Sequence, residues 1–281
     1  MENEGRIARS WRLTKTAWGL VRTDGAMLAL ALLGMTSGLI FVGVFTLIGG
    51  YSGDAGQGEV LIAILIALYP STFLGVFFNV ALASAANAAL EGRRLSFGEA
   101  IGESRKRLGK IALWSLLAAG VGALLAELSS RIPGGGRIAA AVVGAAWGLA
   151  TLFVVPILTI VKPTPGPVTA LKDSVAVVRK RWGEGISGTV TITLWALFIT
   201  IPAVFLIGGG FAAMGSGSEI LGAVLVAAGG LLLFAVVALS SAVQQVFLLC
   251  LYRYATDGTA RGFDEQDLAN PPFKQRRGLF G

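Results

Sequence analysis

The chain has 281 residues, 54% of them hydrophobic and only 14% charged, with a mean hydropathy of +0.74 and a net charge of +7. Soluble domains carry about a quarter charged residues, so composition excludes an ordinary water-soluble fold. There is no histidine, which removes Ser–His and Cys–His nucleophile pairs and the commonest proton shuttle; the single Cys250 allows no disulfide within one chain.

In chain order, the first predicted element is a basic amphipathic helix over 6–22. Ile7, Trp11, Thr14, Trp18 and Val21 share one stripe, with Arg6, Arg9, Arg12 and Lys15 on other faces. The apolar stretch after it exceeds the 7–15 residues of a signal-peptide core, and no A-x-A-like cleavage site follows, so it reads as a first span, Ala26–Gly49. The second span, Val60–Leu90, would be about 46 Å of helix at 1.5 Å per residue, longer than a bilayer core. It must tilt, project or kink, and Pro70 is the predicted kink. The next basic stretch, "SFGEAIGESRKRLGK", offers a capping box in Ser96 and Glu99 and carries Arg105, Lys106 and Arg107. Spans at Ile111–Leu128 and Ile138–Val161 follow, the latter with a flat Gly144-x-x-x-Gly148 face. A third basic stretch, "GPVTALKDSVAVVRKRWGEG", holds Arg179, Lys180 and Arg181. The last spans are Ile186–Ile207 and Ile220–Tyr252. They are separated by "GGGFAAMGSGSE", read as a turn, and followed by a basic tail, 256–281.

This gives an all-α, polytopic bundle: one membrane domain, 1–255, of six transmembrane helices in three hairpins, each entered through a basic amphipathic helix. Of the 23 Lys and Arg residues, only Arg131 and Arg137 fall on the side of the glycine-rich links. Positive residues mark the cytoplasmic side, so both termini are predicted inside. The charge is thus explained by orientation, and no nucleic-acid partner is expected. The basic helices suit anionic headgroups of the inner leaflet, with Arg6, Arg9, Arg12, Lys15, Arg105, Lys106, Arg107, Arg179, Lys180 and Arg181 as headgroup contacts. An internal echo supports the repeat: "FNVALASAANAALEGRRLSF" lies on "QQVFLLCLYRYATDGTARGF" without a gap, placing Asn79 over Gln245 and Glu91-Gly92 over Asp257-Gly258.

The unusual residues are the amides. Gly75, Asn79, Ala83 and Asn87 recur every four residues on one helical face; Ser241 and Gln245 share another, with Gln244 beside them. Small residues let helices approach, and amides can bond across the contact for about 0.6–2 kcal/mol each. The first reading of Asn79, Asn87, Ser241, Gln244 and Gln245 is therefore a packing seam; the second is the lining of a polar path. No ionisable residue sits at mid-depth in any predicted span, and coupled carriers place such groups there.

"DGTARGFDEQD" is similar to a fragment of the CDP-alcohol phosphatidyltransferase signature, whose carboxylates hold two cations. Here the Ala260-Arg261 pair comes one residue early, Tyr254 replaces the first Asp, and Asp264 and Asp267 are misplaced. A helix stop at Gly258, mirrored at Gly92, explains the stretch more simply. "LIGGGF" and "PGGGR" lack the Lys-Ser/Thr of a phosphate loop. No catalytic constellation, cofactor or metal site is expected.

At "GRIARSWRLTKTAWGLVR", "FFNVALASAANAAL", "AAWGLATLFVVPIL" and "RKRWGEGISG" the chain resembles an uncharacterised prokaryotic six-span membrane family, a domain of unknown function. A more distant likeness is to the membrane domain of some glycerophosphodiester phosphodiesterases, without their catalytic domain. The resemblance implies a multi-pass protein of a prokaryotic cell membrane and carries no activity. The functional expectation is a non-enzymatic scaffold that engages lipid, its own copies or a membrane-protein partner; the alternative is permeation of a small polar solute or lipid. A lipid-modifying enzyme comes third.

Overall fold

The computed structural model describes residues 17–51, 57–131, 136–181 and 187–257, which form helices and connecting turns with no strand among them. The described part of α1, Ala17–Thr23, meets α2, Gly25–Tyr51, at a bend of 97°. Asp24 makes that corner, its Oδ1 accepting the N–H groups of Ala26 at 2.9 Å and Met27 at 3.2 Å at the start of α2. Within α1 Ala17 and Val21 are buried and Trp18 is exposed, so of the described members of the predicted stripe Val21 faces inward and Trp18 does not. Arg6, Arg9, Arg12 and Lys15 lie outside the described residues.

Helix α3, Gln57–Leu90, passes through Pro70 without ending. It stops at Gly92, whose φ of +77° is open to glycine at no steric cost. The N–H of Arg93 bonds Ala88 O at 2.9 Å and that of Gly92 bonds Ala89 O at 3.0 Å, a Schellman cap. The stop predicted at Gly258 lies outside the described residues. Helix α4, Phe97–Arg105, starts on the predicted capping box, with both Ser96 and Glu99 bonds in place. Helix α5, Leu108–Arg131, follows after one tight turn.

The stretch predicted as one helix over 138–161 is divided into α6, Gly136–Ala150, and α7, Val154–Ile160. Pro156 accounts for the break: it has no N–H to donate and its ring clashes with the carbonyl four residues back. The chain turns over 151–153 instead, with Val154 N–H on Thr151 O at 3.0 Å. Helix α8, Pro167–Arg181, repairs the damage, because Ser174 Oγ accepts the freed Phe153 N–H at 3.1 Å.

Helices α9, Ser187–Gly215, and α10, Glu219–Asp257, form the tightest hairpin. The "LIGGGF" glycines, predicted as a turn, are helical because one of them carries the contact. A Cβ on Gly210 would lie 2.8 Å from Gly222 O, one on Gly222 2.6 Å from Gly210 O, and one on Gly229 2.8 Å from Ala203 O. Elsewhere, Gly75 faces Ser37 and Gly34 faces Phe78 across α2 and α3, and Gly122 of α5 faces Leu68 of α3.

Among the described residues, four stretches are long and apolar enough to cross a membrane: Leu68–Leu90, Leu108–Leu128, Ile138–Ile160 and Glu219–Arg253. The bent pair Ala17–Thr23 and Gly25–Ile40 makes a fifth if counted as one span, and Thr200–Gly215 is a shorter apolar helix. The core is strongly one-sided. Val80, Leu82, Leu90, Ile111, Phe153, Ile157, Val246 and Leu249 are buried at the Arg-rich end, whereas Leu124, Ile138, Phe205, Ile220 and Leu231 are exposed toward the other.

Candidate functional site: the ion-paired end of the helices

The polar chemistry of the described chain gathers where α3, α4, α5, α7, α8 and α10 meet. Two basic helices use the same device there. In α4, Ala100 and Ser104 share a buried face one turn apart; in α8, Ala170 and Ser174 do the same. Ser104 Oγ donates to Phe77 O at 2.9 Å, and Ser174 Oγ accepts from Phe153 N–H. Each serine thus grips the main chain of the membrane helix that precedes it. Ala-x-x-x-Ser in both basic stretches was the sequence signal for this, and charge content hid it.

Arg107, in the turn between α4 and α5, is buried. Its Nη1 donates to Glu103 O at 2.6 Å and Glu103 Oε2 at 3.0 Å, and its Nη2 donates to Thr159 O at 3.1 Å. A guanidinium at the last turn of α7 both satisfies an orphan carbonyl and complements the helix dipole. Lys106 adds a 2.5 Å pair to Glu103. Lys106, followed by burial (which opposes it) and Arg107, sets the ionisation of Glu103: its carboxyl is held below the usual carboxylate range.

The second cluster ties the end of α3 to α10. Glu91 pairs with Arg93 at 2.5 Å through Oε2 and with Arg253 of α10 through Oε1, which also accepts Asn87 Nδ2 at 3.1 Å. Arg93 is the main reason the Glu91 carboxyl stays below its ordinary range; partial burial works against this and Arg253 adds to it. Glu91 stood out in the sequence only as part of the internal echo, and its pairing with Arg253 was not foreseen, because the two are 162 positions apart.

Of the predicted seam, Asn79, Asn87, Gln244 and Gln245 are half-buried and Ser241 is exposed. Asn87 bonds along its own helix; its Oδ1, and Oε1 of Gln245, are buried with no hydrogen-bond partner among the described residues. Gly144 and Gly148 have nothing within 4 Å of a built Cβ, so the predicted flat face of α6 is open in the described chain. Tyr69 and Trp147 pack on aromatics: Tyr69 on Phe73 at 6.3 Å, and Trp147 stacked on Trp114 at 6.1 Å. Of the predicted headgroup contacts, Arg105, Lys106 and Arg179 are exposed and Arg107 is not; the side chains of Lys180 and Arg181 lie outside the description. Among the described residues no group of three or more acidic or cysteine side chains could hold a metal ion. Asp264 and Asp267 lie outside them.

A family model described as a family of unknown function, DUF6159, matches residues 58–263, which is most of the chain. No curated protein and no solved structure is matched, and the likeness to glycerophosphodiester phosphodiesterase membrane domains has no support.

Proposed function

This chain belongs to DUF6159, and from that premise we propose a non-enzymatic integral membrane scaffold of six crossings in three hairpins, its Arg-rich end on the inner leaflet of a prokaryotic cell membrane. In this reading the first crossing is α2, the fourth is the broken pair α6–α7, and the fifth is α9. The exposed basic residues Arg105, Lys106 and Arg179 engage anionic headgroups, as do Arg6, Arg9, Arg12, Lys15, Lys180 and Arg181.

The observation that carries the reading is the use made of the polar side chains. Ser104, Ser174, Arg107, Glu91 and Arg253 each bond to a neighbouring element's main chain or side chain. Groups committed to joining helices make a frame. A permeation path needs groups left free for solute, and among the described residues the buried, unpartnered Asn87 Oδ1, Ser115 Oγ and Gln245 Oε1 favour that second reading.

Reconstitution decides between them. Vesicles of phosphatidylcholine and phosphatidylglycerol containing the protein are expected to pass protons, potassium, glycerol and amino acids no faster than protein-free vesicles, and native mass spectrometry should show phosphatidylglycerol retained. Flux that disappears in Asn79→Leu or Gln245→Leu, with the melting temperature unchanged, would overturn the scaffold in favour of permeation.

A further inference from the structure

Burial changes abruptly along α2, α3 and α10, and the changes fall at one level. On α3 an almost unbroken buried run starts at Val80; on α10 it starts at Ala242. Stepping back from the Glu91–Arg253 bridge along the two helices by about three turns, or ~16 Å, brings Val80 level with Ala242. On α2 the run ends at Ala31, and Leu32 is exposed. The facing pairs Gly34–Phe78 and Ser37–Gly75 set Leu32 opposite Val80 in that antiparallel contact. Gly122 opposite Leu68 sets Lys110 of α5 at the same level, beside the basic turn that holds Lys106 and Arg107. On the α6–α7 strand of the bundle the buried run opens at Phe153, two turns past the Trp114–Trp147 stack.

Beyond that level, what remains of α2, α3, α5 and α10 runs from Leu32 to Tyr51, Gln57 to Asn79, Lys110 to Arg131 and Glu219 to Ser241. Each is about 30–35 Å long, the thickness of bilayer hydrocarbon. Large apolar side chains stand exposed along these segments, Ile220 at 84% and Leu231 at 71%.

We infer that the hydrocarbon of the bilayer ends at the Leu32–Val80–Lys110–Ala242 level, and that the rest of the Arg-rich end is a protein-packed cap standing about 16 Å proud of it, through the headgroups and into water. The occupant of the exposed apolar faces is lipid acyl chain. Asn79, Ser241, Gln244 and Gln245 then lie within a turn of the boundary and not at mid-membrane, where an amide facing lipid is costly. The basic turn at Arg105–Lys110 lies at phosphate depth, while Glu91, Arg93 and Arg253 stand outside the bilayer. This placement rests only on the chain being a membrane protein, and it holds for a scaffold and for a permeation protein alike.

A depth profile along α10 tests it. Cysteines at the exposed positions Val224, Leu231, Val237, Ser241 and Thr256 are spin-labelled in protein reconstituted into phosphatidylcholine–phosphatidylglycerol vesicles, and collisions with oxygen and with a water-soluble nickel chelate are compared. Cys250 is buried, so the unsubstituted protein serves as the labelling blank. The expected profile is deepest at Leu231, falls at Val237, reaches the boundary at Ser241 and is aqueous at Thr256. Centring α10 on the bilayer puts the deepest label at Val237, with Ser241 still buried in hydrocarbon, and that result would overturn the inference. Glu99→Cys on α4 gives a second reading in a different element: nickel access is expected, and oxygen-rich, nickel-poor behaviour would contradict the cap.

Discussion

Ser174 shows how one small side chain supports a broken membrane helix. The turn over 151–153 leaves the Phe153 N–H without a helical partner, and without the Ser174 acceptor that donor would be buried unpaired, at a cost of about 1–3 kcal/mol. Ser174→Ala is expected to lower stability by that amount in a detergent melt, while Thr169→Ala, exposed on the same helix, should change it by less than about 0.5 kcal/mol. The Glu91–Arg253 bridge is partly solvated, so a double-mutant cycle with Glu91→Gln and Arg253→Gln should return a coupling of only about 0.2–1 kcal/mol. The carboxyls of Glu91 and Glu103 are held below the ordinary range near about 4.3. A lowered folded-state value means stabilisation that is complete above the ordinary range and lost as pH falls through it toward the lowered values. Melting temperature measured from pH 6 to pH 3 should therefore be flat above about pH 5 and decline below, and the decline should be shallower in the Glu91→Gln, Glu103→Gln double variant.

Among elements, the α9–α10 hairpin makes the sharpest claim. Gly222→Ala or Gly229→Ala drives a methyl into backbone carbonyl oxygen on the facing helix, which cannot move as a side-chain tip does. Overpacking of this kind costs about 1–3 kcal/mol. Gly144→Ala and Gly148→Ala, with open space around both, should be neutral or slightly stabilising, since alanine favours helix by about 1 kcal/mol. Melts of the four variants read this directly.

The same elements show what was legible in the sequence. Long apolar runs gave the helices, and Ser96 with Glu99 gave the start of α4, because hydropathy and capping are local. Gly208-Gly209-Gly210 misled as a turn because a glycine's reason for being helical, a partner backbone close by, is not local. Pro156 was visible, but the sequence did not disclose that Ser174 would accept the freed donor and so let the helix break. The ion-paired end was the least legible part: which cation pairs with Glu91 is decided by how α3 and α10 end side by side.

The whole molecule is a bundle packed firmly at its charged end, with large apolar side chains exposed along the rest. Helices α4 and α8 each lock onto the preceding apolar helix through a buried serine one turn after an alanine, so one device is used twice. In the proposed orientation the charged end faces the cell interior and the α9–α10 turn faces out. Ser216→Cys in that turn and Thr169→Cys on α8, both exposed, are treated in cells with a membrane-impermeant maleimide before and after permeabilisation. In that orientation Ser216→Cys labels in intact cells and Thr169→Cys only after permeabilisation. Labelling of Thr169→Cys in intact cells, with Ser216→Cys protected, would contradict it.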